Sequence, residues 1–243
     1  MPSTQQNVLL SSGGMDSFLL ACEPKLRRGL HVFVDIGQKY LQKERKAAAF
    51  IAKEVGATFV EMKTAQLAEY EHSSGIIPFR NAEMILCAAQ HGTQIYLGVI
   101  ADEINSDKSL EFCEAMENVL NISHRKQYWT EGKQYAICTP FRQFSKTQLV
   151  QKYLSAGYPL SFLLKSVSCY DGGNLHCGSC ASCFKRWVAL VNATRVDHAV
   201  DWGFVQHPYE WKSQSHWANV ISGYSETRAT EIVNAFAIAR GKF

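Results

Sequence analysis

Residues 10 to 17 read Leu-Ser-Ser-Gly-Gly-Met-Asp-Ser and directly follow an apolar run that ends at Leu10. A strand that ends in a Gly-Gly turn and leads into a helix is typical of a phosphate-binding loop, because glycines let backbone N–H groups converge on an anion. Ser12 and Ser17 add hydroxyl donors, and the start of the helix adds its positive dipole end. Asp16 would repel a bare phosphate, so its presence indicates a bridging Mg²⁺ or a hydrogen bond that holds the loop. A loop of the Gly-Lys-Ser/Thr type is excluded, because these residues include no lysine.

Four cysteines between residues 169 and 183 have the spacing C-x7-C-x2-C-x2-C. The two x2 spacings put three thiolates on one tight turn, and a Gly-Gly loop returns the fourth. Four thiolates suit a closed, structural Zn²⁺ site, although ligand type alone also admits an iron–sulfur cluster. The predicted ligands are Cys169, Cys177, Cys180 and Cys183, with His176 as a neighbour and not a ligand. The isolated thiols of Cys22, Cys87, Cys113 and Cys138 are expected to be buried structural residues.

Three further positions offer polar groups at the ends of apolar runs. Gln38, close after Asp35, could read a nucleotide, although an ordinary turn explains these residues equally well. Arg80 opens a predicted helix, where its guanidinium could clamp a phosphate or a carboxylate, or cap the helix at the surface with Asn81. Lys146 also begins a predicted helix, where a cation opposes the helix dipole. An anionic ligand would remove that conflict, so Lys146 is a candidate for anion binding.

Short apolar runs alternate with helical patterns along most of the chain. The predicted strands cover residues 7–10, 30–35, 58–62 and 94–99, with a weaker fifth at 135–138. The predicted helices cover residues 15–28, 42–55, 81–91, 107–122, 145–156 and 180–194. This alternation predicts an α/β fold with a doubly wound parallel sheet, in which ligands bind at the carboxyl ends of the strands. The candidate residues near the strands all fall at such ends.

Composition limits the function classes. The chain has 243 residues, is 47% apolar and carries a net charge of +3, which allows one core with a small appendage and disfavours a large nucleic-acid groove. We find neither an N-terminal apolar signal region nor a run of eighteen apolar residues, so we expect a cytoplasmic protein that does not cross a membrane. Eight cysteines then indicate reduced thiols or metal binding and not disulfides.

We expect three segments, namely a sheet domain (1–160), a metal-binding segment with its helix packed on it (161–202), and a C-terminal extension (203–243). The extension should be ordered, because a disordered tail is poor in aromatic residues. Its aromatic residues include Phe204, Tyr209, Trp211, Trp217 and Tyr224. Its last helix should begin at Ser225, end at Gly241 and bury a stripe of Ala229, Ile232, Val233 and Phe236. Two destinations stay open for this helix, the chain's own sheet domain or a second subunit across a twofold axis.

Taken together, these residues resemble the 7-cyano-7-deazaguanine synthase family of the PP-loop ATP pyrophosphatase superfamily. The resemblance runs from about residue 7 to residue 202. In order, the chain carries Ser-Gly-Gly-x-Asp-Ser, Gly37-Gln38 with Glu44, Pro78-x-Arg80-Asn81, Gly98, Thr139-Pro140 with Lys146, Ser168-Cys169-Tyr170, Cys-Gly-x-Cys-x-x-Cys and Arg186.

The resemblance implies an adenine-nucleotide α-hydrolase-like fold and a role in queuosine biosynthesis. It implies that 7-carboxy-7-deazaguanine and free ammonia are converted to the nitrile through adenylated intermediates, with ATP as co-substrate and AMP and pyrophosphate as products. The implied catalytic residues are Asp16, Lys146 and Arg80. The implied ATP-binding residues are Leu10, Ser11, Ser12, Gly13, Gly14, Met15, Asp16, Ser17, Asp35 and Gly98. Gln38, Asn81 and Asp107 are implied to bind substrate. Mg²⁺, one structural Zn²⁺ per chain and a homodimer complete the expectation.

The chain departs from the family where substrate would be read. The family's loop after the fourth strand ends in Tyr-Pro-Asp-Cys-Arg-x-x-Phe, whereas residues 105–112 form a slightly shorter loop that retains Asp107 but has Lys108 and Ser109 at the Cys and Arg positions. A relative that transfers the adenylated deazapurine to another acceptor, such as a protein amine, is therefore the alternative. A nucleotide-sensing module without catalysis is disfavoured by Asp16 and Lys146. Transfer-RNA thiolation would need further catalytic cysteines, and amidation with a built-in glutaminase would need a second domain.

Overall fold

A parallel sheet forms the centre of the protein. The computed structural model describes residues 6–64, 66–72, 76–103, 106–171, 173–213 and 225–241. Within these residues the strands are β1 (Asn7–Leu10), β2 (Leu30–Asp35), β3 (Thr58–Lys63), β4 (Gln94–Tyr96) and β5 (Ala136–Cys138). They pair in parallel in the order β3-β2-β1-β4-β5, with Val8 in register with Leu30 on one side and Ile95 on the other. The predicted doubly wound α/β fold, with its weak fifth strand, is confirmed.

Helices cover both faces of the sheet. In chain order they are α1 (Met15–Ala21), α2 (Leu41–Glu54), α3 (Arg80–Ala89), α4 (Leu110–Ser123), α5 (Lys146–Ser155), α6 (Leu160–Leu163), α7 (Ala181–Thr194), α8 (Pro208–Ser213) and α9 (Glu226–Ala239). Among the described residues, none of these helices has the length and apolar character needed to cross a membrane.

Alternate side chains of β1 enter two different hydrophobic clusters. Val8 and Leu10 join a cluster that includes Ile85 of α3 and Leu120 of α4. Leu9 joins the other cluster, which also draws residues from α1, α5, α7 and α9. Both faces of the central strand are therefore buried, as expected for a parallel sheet between two layers of helices.

Two predicted elements end three or more residues earlier than expected. Helix α1 was predicted to reach residue 28 but ends at Ala21, because Pro24 cannot continue the backbone hydrogen bonds and restricts the residue before it. Strand β4 was predicted to reach residue 99 but ends at Tyr96. There the N–H of Val99 donates to the carbonyl of Leu97 at 3.0 Å, which turns the chain away from the sheet. Both endings replace regular structure with loop backbone.

The C-terminal helix α9 packs against α7 of the same chain. The ring of Phe236 lies 6.0 Å from Phe184, 5.7 Å from Trp187 and 4.7 Å from Tyr209, measured between centroids. The described part of the extension therefore packs on its own chain, mainly on α7 of the metal-binding segment (161–202) and not on the sheet domain (1–160) as predicted, and a second subunit stays a prediction. The boundaries at residues 160 and 202 also stay a prediction, although one hydrophobic cluster contains residues from all three segments.

The ends of α9 agree with the sequence prediction, but two positions of its predicted buried stripe do not, since Ala229 is only half-buried and Val233 is exposed. Ser225 caps the helix by accepting a hydrogen bond from the N–H of Arg228 at 3.3 Å, and Gly241 follows its end. Val233 was predicted to be buried but is 47% exposed, because Ala235 occupies the face that packs on α7. The side chain of Trp211 and the whole of Trp217 and Tyr224 lie outside the described residues.

Candidate active site and metal centre

A cleft opens at the carboxyl ends of β1 and β4, where the order of strands changes direction. Open parallel sheets bind ligands at this switch point. The loop after β1, the segment after β4 and the starts of α3 and α5 surround the cleft, whose volume is about 190 Å³. The sequence therefore places its candidate phosphate loop at the position where this type of sheet binds ligands.

Most of the predicted site residues line this cleft. They are Leu10, Ser11, Ser12, Gly14, Met15, Asp16, Ser17, Gln38, Arg80, Asn81, Gly98 and Lys146. Gly13, Asp35 and Asp107 lie beside the cleft and are not part of its lining. The Asp35 carboxylate accepts a hydrogen bond from the N–H of Gly37 at 2.9 Å, and the carbonyl of Asp107 accepts one from Asn81 at 3.2 Å. The predicted contacts of these three residues with ATP and substrate stay predictions.

The loop after β1 depends on a residue without a side chain at its first glycine. Gly13 has a φ of 71°, and a Cβ here would lie 2.3 Å from the carbonyl oxygen of Glu44. The hydroxyl of Ser12 accepts a hydrogen bond from the N–H of Gly14 at 3.3 Å and lies 3.2 Å from that of Ser17. The hydroxyl of Ser17 donates to the carbonyl of Gly14 at 3.1 Å. The two serines thus hold the loop's shape as well as facing the cleft.

Gly98 lets the segment after β4 approach the first turn of α1. A Cβ at Gly98 would lie 3.0 Å from both the carbonyl carbon of Asp16 and the backbone nitrogen of Ser17. The first N–H groups of a helix have no partner within it. The absence of a side chain at Gly98 permits this close approach, and Gly98, Asp16 and Ser17 line the cleft together.

Lys146 and Asp16 form an ion pair across the cleft. Lys146 is the first residue of α5, and its Nζ lies 2.8 Å from the Asp16 carboxylate. The two side chains are 14% and 17% exposed. Burial alone would lower the pKa of Lys146, but the charges of Asp16 and Glu103 outweigh it and raise the pKa above its ordinary value. Lys146 therefore stays a cation, and a phosphate in the cleft would meet a fixed ammonium group.

Sequence reasoning missed an acidic residue that gathers lysines at the cleft. Glu103 accepts hydrogen bonds from Lys185 at 2.8 Å and from Lys108 at 2.9 Å. Burial would raise the pKa of Glu103, but Lys146, Lys108 and Lys185 hold it well below its usual range. The sequence feature that could have indicated this cluster was the position of Lys185, which lies two residues after the predicted metal ligand Cys183. The cluster leaves an excess of positive charge near the phosphate loop.

The segment before α4 differs from its predicted form. Residues 107–122 were predicted as one helix, but α4 begins at Leu110 because the hydroxyl of Ser109 accepts a hydrogen bond from the N–H of Phe112 at 3.0 Å and caps it. Lys108 lies in a short 3₁₀ turn before this cap, which lets it reach Glu103. Asn105, in the predicted substrate loop, lies outside the described residues.

A carboxyl group with an unusual pKa lies in the opposite half of the cleft. Gln38 accepts a hydrogen bond from the N–H of Ile36 at 3.1 Å and donates to Glu44 at 3.0 Å. Burial raises the pKa of Glu44 to about 7, against the opposing effects of Gln38 and Arg80. The amide of Gln38 therefore already donates a hydrogen bond to Glu44. In this half of the cleft, Arg80 is the cation that could bind an anionic ligand.

The four predicted metal ligands come together. Their sulfur atoms lie within 4.8 Å of one another. The sulfurs of Cys177 and Cys183 are 3.9 Å apart, close to the edge of about 3.8 Å in a tetrahedron with metal–sulfur bonds of about 2.3 Å. The N–H of Cys177 donates to the sulfur of Cys169 at 3.3 Å, and the N–H of Cys183 donates to that of Cys180 at 3.4 Å. The group therefore fits a tetrahedral thiolate metal such as Zn²⁺.

The remaining predictions on histidine and cysteine agree with the structure, with one exception. His176 is not part of the thiol group, and its Nε2 accepts a hydrogen bond from the N–H of Ser168 at 3.3 Å. Burial raises the pKa of Cys22 to about 12 and that of Cys87 to about 11. Cys113 is buried too, whereas Cys138, at the end of the edge strand, is only half-buried.

The metal segment also forms one wall of the cleft. Residues 167 to 170 line it, and the ring of Tyr170 lies 5.6 Å from that of Tyr40. The N–H of Val167 donates to the carbonyl of Gly13 at 2.8 Å. A metal that orders this segment would therefore also brace the phosphate loop.

Comparison with known proteins identifies a family model and individual proteins to which this chain is similar. A family model described as queuosine biosynthesis protein QueC matches residues 60–194, more than half of the chain. The 7-cyano-7-deazaguanine synthase of Prochlorococcus marinus (strain MIT 9303) is 28% identical over 225 residues, which cover 80% of this chain and 96% of that protein. The protein of the same name from Desulfotalea psychrophila (strain LSv54 / DSM 12343) is 27% identical over 221 residues, 79% of this chain and 96% of its own. The protein of that name from Methanoculleus marisnigri (strain ATCC 35101 / DSM 1498 / JR1) is 29% identical over 210 residues, which cover 74% of this chain and 90% of that protein.

Proposed function

The chain belongs to the QueC family of queuosine biosynthesis proteins, and on that premise we propose that it is an ATP-dependent carbon–nitrogen ligase that makes 7-cyano-7-deazaguanine from 7-carboxy-7-deazaguanine and ammonia. The name that its relatives share supports the product. The observation that carries the ATP chemistry is the Asp16–Lys146 pair beside the Ser-Gly-Gly loop at the switch point of the sheet.

The proposed reaction adenylates the substrate twice. A carboxylate oxygen of the substrate attacks the α-phosphorus of ATP, and the bond to pyrophosphate breaks. Ammonia then attacks the carbonyl carbon, loses a proton and displaces AMP, which leaves the amide. The amide oxygen attacks a second ATP, pyrophosphate leaves again, and loss of AMP with the remaining N–H protons gives the nitrile. The substrate supplies each nucleophile, so no residue needs to form a covalent intermediate.

The residues of the cleft would then act on charge and position. Pyrophosphate gains negative charge as it leaves, and the loop N–H groups with Lys146 would stabilise it, since preorganised electrostatics is usually the largest catalytic contribution. The Asp16 carboxylate is the group that would hold Mg²⁺, which neutralises phosphate oxygens when bound. Arg80 would clamp the carboxylate or the α-phosphate from the opposite side. Lys108 and Lys185, held by Glu103, add cations that sequence reasoning did not foresee.

Other parts of the proposal concern the substrate, the metal and assembly. We propose that three side chains recognise the deazapurine, namely those of Gln38, Asn81 and Asp107. Because the amide of Gln38 already donates a hydrogen bond to Glu44, Gln38 would act by positioning the Glu44 carboxyl group. The four cysteines are proposed to hold one structural Zn²⁺ per chain. We also propose a homodimer, which the family resemblance favours.

A second candidate function uses the same adenylation but a different acceptor. In this reaction an amine of a protein, and not ammonia, attacks the carbonyl carbon of the adenylated carboxylate and displaces AMP. The product is an amide between the deazapurine and the protein, and no nitrile forms. The observation that favours it is Lys108, which borders the cleft and pairs with Glu103 where the resembled family has a different substrate loop. Both candidates need ATP and release pyrophosphate, so only the product separates them.

The test supplies the protein with Mg²⁺, ATP and 7-carboxy-7-deazaguanine, with and without ammonium, and follows both phosphate products. The proposal expects pyrophosphate and AMP, with twice as much pyrophosphate as nitrile. Mass analysis of small molecules and of the protein then identifies the acceptor. A nitrile that depends on ammonium supports the first candidate, and a deazapurine amide on a protein amine supports the second. Release of orthophosphate would contradict both.

A further inference from the structure

The C-terminal helix α9 contacts the start of α5 through a carboxylate. The hydroxyl of Ser145 donates a hydrogen bond to Oε1 of Glu231. The same hydroxyl accepts a hydrogen bond from the N–H of Gln148 at 3.2 Å, and Gln148 in turn accepts one from the N–H of Ser145 at 2.9 Å. Ser145 is only 3% exposed. Every polar group of this N-cap is therefore engaged, and one of its partners comes from the C-terminal extension.

This cap fixes the residue that pairs with Asp16. Lys146 follows Ser145 directly and is the first residue of α5, so the position of the cap decides where the Lys146 side chain begins. A lysine at this position is opposed by the helix dipole, whereas a carboxylate near the same end is favoured by it. The negative charge of Glu231 near the N-terminus of α5 therefore offsets part of the unfavourable interaction between the Lys146 cation and the helix dipole.

Glu231 is itself held by a second contact with α7. The side-chain amide of Asn192 donates to the carbonyl of Glu231 at 2.7 Å and to that of Val188 at 2.8 Å. The next residue of α9, Ile232, is 2% exposed and belongs to the core cluster. The carboxylate of Glu231 is thus presented from a turn that is fixed in the core, not from an exposed helix end.

A small cavity separates α9 from the cleft. Its lining includes Glu231 and Ile232 of α9 together with Glu103, Lys146 and Lys185. Three of these residues, Glu103, Lys146 and Lys185, also line the cleft. The extension therefore lies directly behind the cations that face the phosphate loop.

We infer that Glu231 is a positioning residue for Lys146, and that α9 is consequently a part of the active site. The inference rests on the proposed function for its effect on turnover. It goes beyond the family match, which ends at residue 194 and so contains no part of α9. In this inference Glu231 acts on Lys146 through the hydroxyl of Ser145 and not by a contact of its own with ATP.

The experiment compares Glu231→Ala and Glu231→Gln with the control Glu226→Ala, which removes an exposed carboxylate from the first turn of the same helix. A displacement of about 1 Å at a catalytic group can cost about a hundredfold in rate. We expect Glu231→Ala to lower kcat for pyrophosphate release by about ten- to a hundredfold, with a much smaller change in KM for the deazapurine. Glu231→Gln should recover much of kcat, because its amide oxygen can still accept a hydrogen bond from the Ser145 hydroxyl. Glu226→Ala should leave kcat unchanged.

A binding measurement separates this inference from the proposed function. Calorimetry with Mg²⁺ and pyrophosphate reports on Lys146 whether or not the deazapurine is the substrate. We expect weaker binding in Glu231→Ala, in the same direction as in Lys146→Ala, with thermal denaturation confirming that each variant is folded. If the wild type turns over no deazapurine but this loss of affinity is seen, the proposed function fails and the inference stands.

Two results would overturn the inference. One is a folded Glu231→Ala that binds pyrophosphate as the wild type does, and the other is a Glu226→Ala control with the same loss. If Glu231→Ala does not fold, Glu231→Gln decides, because it should fold and bind pyrophosphate. A folded Glu231→Gln that fails to bind pyrophosphate would also contradict the inference.

Discussion

Replacing both members of the Asp16–Lys146 pair by neutral residues should restore thermal stability without restoring enzymatic activity. The perturbations are Lys146→Met, which keeps the apolar stem, Asp16→Asn, which keeps the shape, and the double variant. Lys146→Met leaves the poorly exposed Asp16 carboxylate without its partner, and Asp16→Asn removes one of the two carboxylates that act on Lys146, whereas the double change removes both charges of the pair. We expect the double variant to regain stability that the single variants lose, while all three variants show strongly reduced kcat.

The geometry sets the size of the effect. At 2.8 Å and an effective dielectric constant of about 20, two unit charges attract by about 6 kcal/mol, much of which is offset by desolvation. Removing one partner of a buried pair costs about 3–5 kcal/mol. Lys146→Met should approach this range because it removes the cation from both Asp16 and Glu103. Asp16→Asn should cost less, since Lys146 keeps Glu103. For a chain of this size, Lys146→Met should lower Tm by about 10 °C.

Thermal denaturation and pyrophosphate release test the two halves of this prediction. Loss of one preorganised charge-stabilising group typically lowers kcat by about 10²–10³-fold, and the double variant cannot recover it. The double variant should nevertheless melt at a higher temperature than Lys146→Met. If the stability losses of the two single variants simply add, the pair is not the coupled unit described above. If activity returns together with stability, Lys146 has no role in the reaction.

Three further outcomes follow from the metal centre, the cleft and the C-terminal helix. Cys180→Ser should be insoluble or unfolded and lack Zn²⁺ by metal analysis, because structural zinc contributes about 10–16 kcal/mol of apparent binding energy; a soluble, zinc-free and active variant would contradict this. The folded-state pKa of Glu44, raised to about 7, means that the folded protein holds the proton more tightly, so stability should fall as pH rises from about 4.5 to about 7. Glu44→Gln should flatten this slope in melting experiments, and an unchanged slope would count against it. Phe236→Ala should lower the free energy of unfolding by about 3–5 kcal/mol in urea denaturation, whereas Val233→Ala, at an exposed position, should change it little; equal losses would argue against packing of α9 on α7.

The sequence alone predicted the features that depend on local chemistry. The alternation of apolar runs and helical patterns predicted the parallel sheet, because each run must be buried between helices. The spacing of the four cysteines predicted their assembly, because short x2 spacings bring thiols together whatever the surrounding fold. The Ser-Gly-Gly loop was predicted at the end of β1, and a conformation that excludes a side chain at Gly13 explains why a glycine stands there.

Tertiary structure decided the features that depend on distant parts of the chain. No periodicity indicates that Glu103 meets Lys185, because the two residues are far apart in sequence and come together only in the folded chain, where α7 packs on α5. The exposure of Val233 and the burial of Ala235 depend on which side of α9 packs on α7, and the apolar residues of α9 alone do not fix that side. The contact of Glu231 with Ser145 has the same origin. Sequence patterns specify which side of a helix is apolar, whereas the partner of each polar group is selected only when the helices pack.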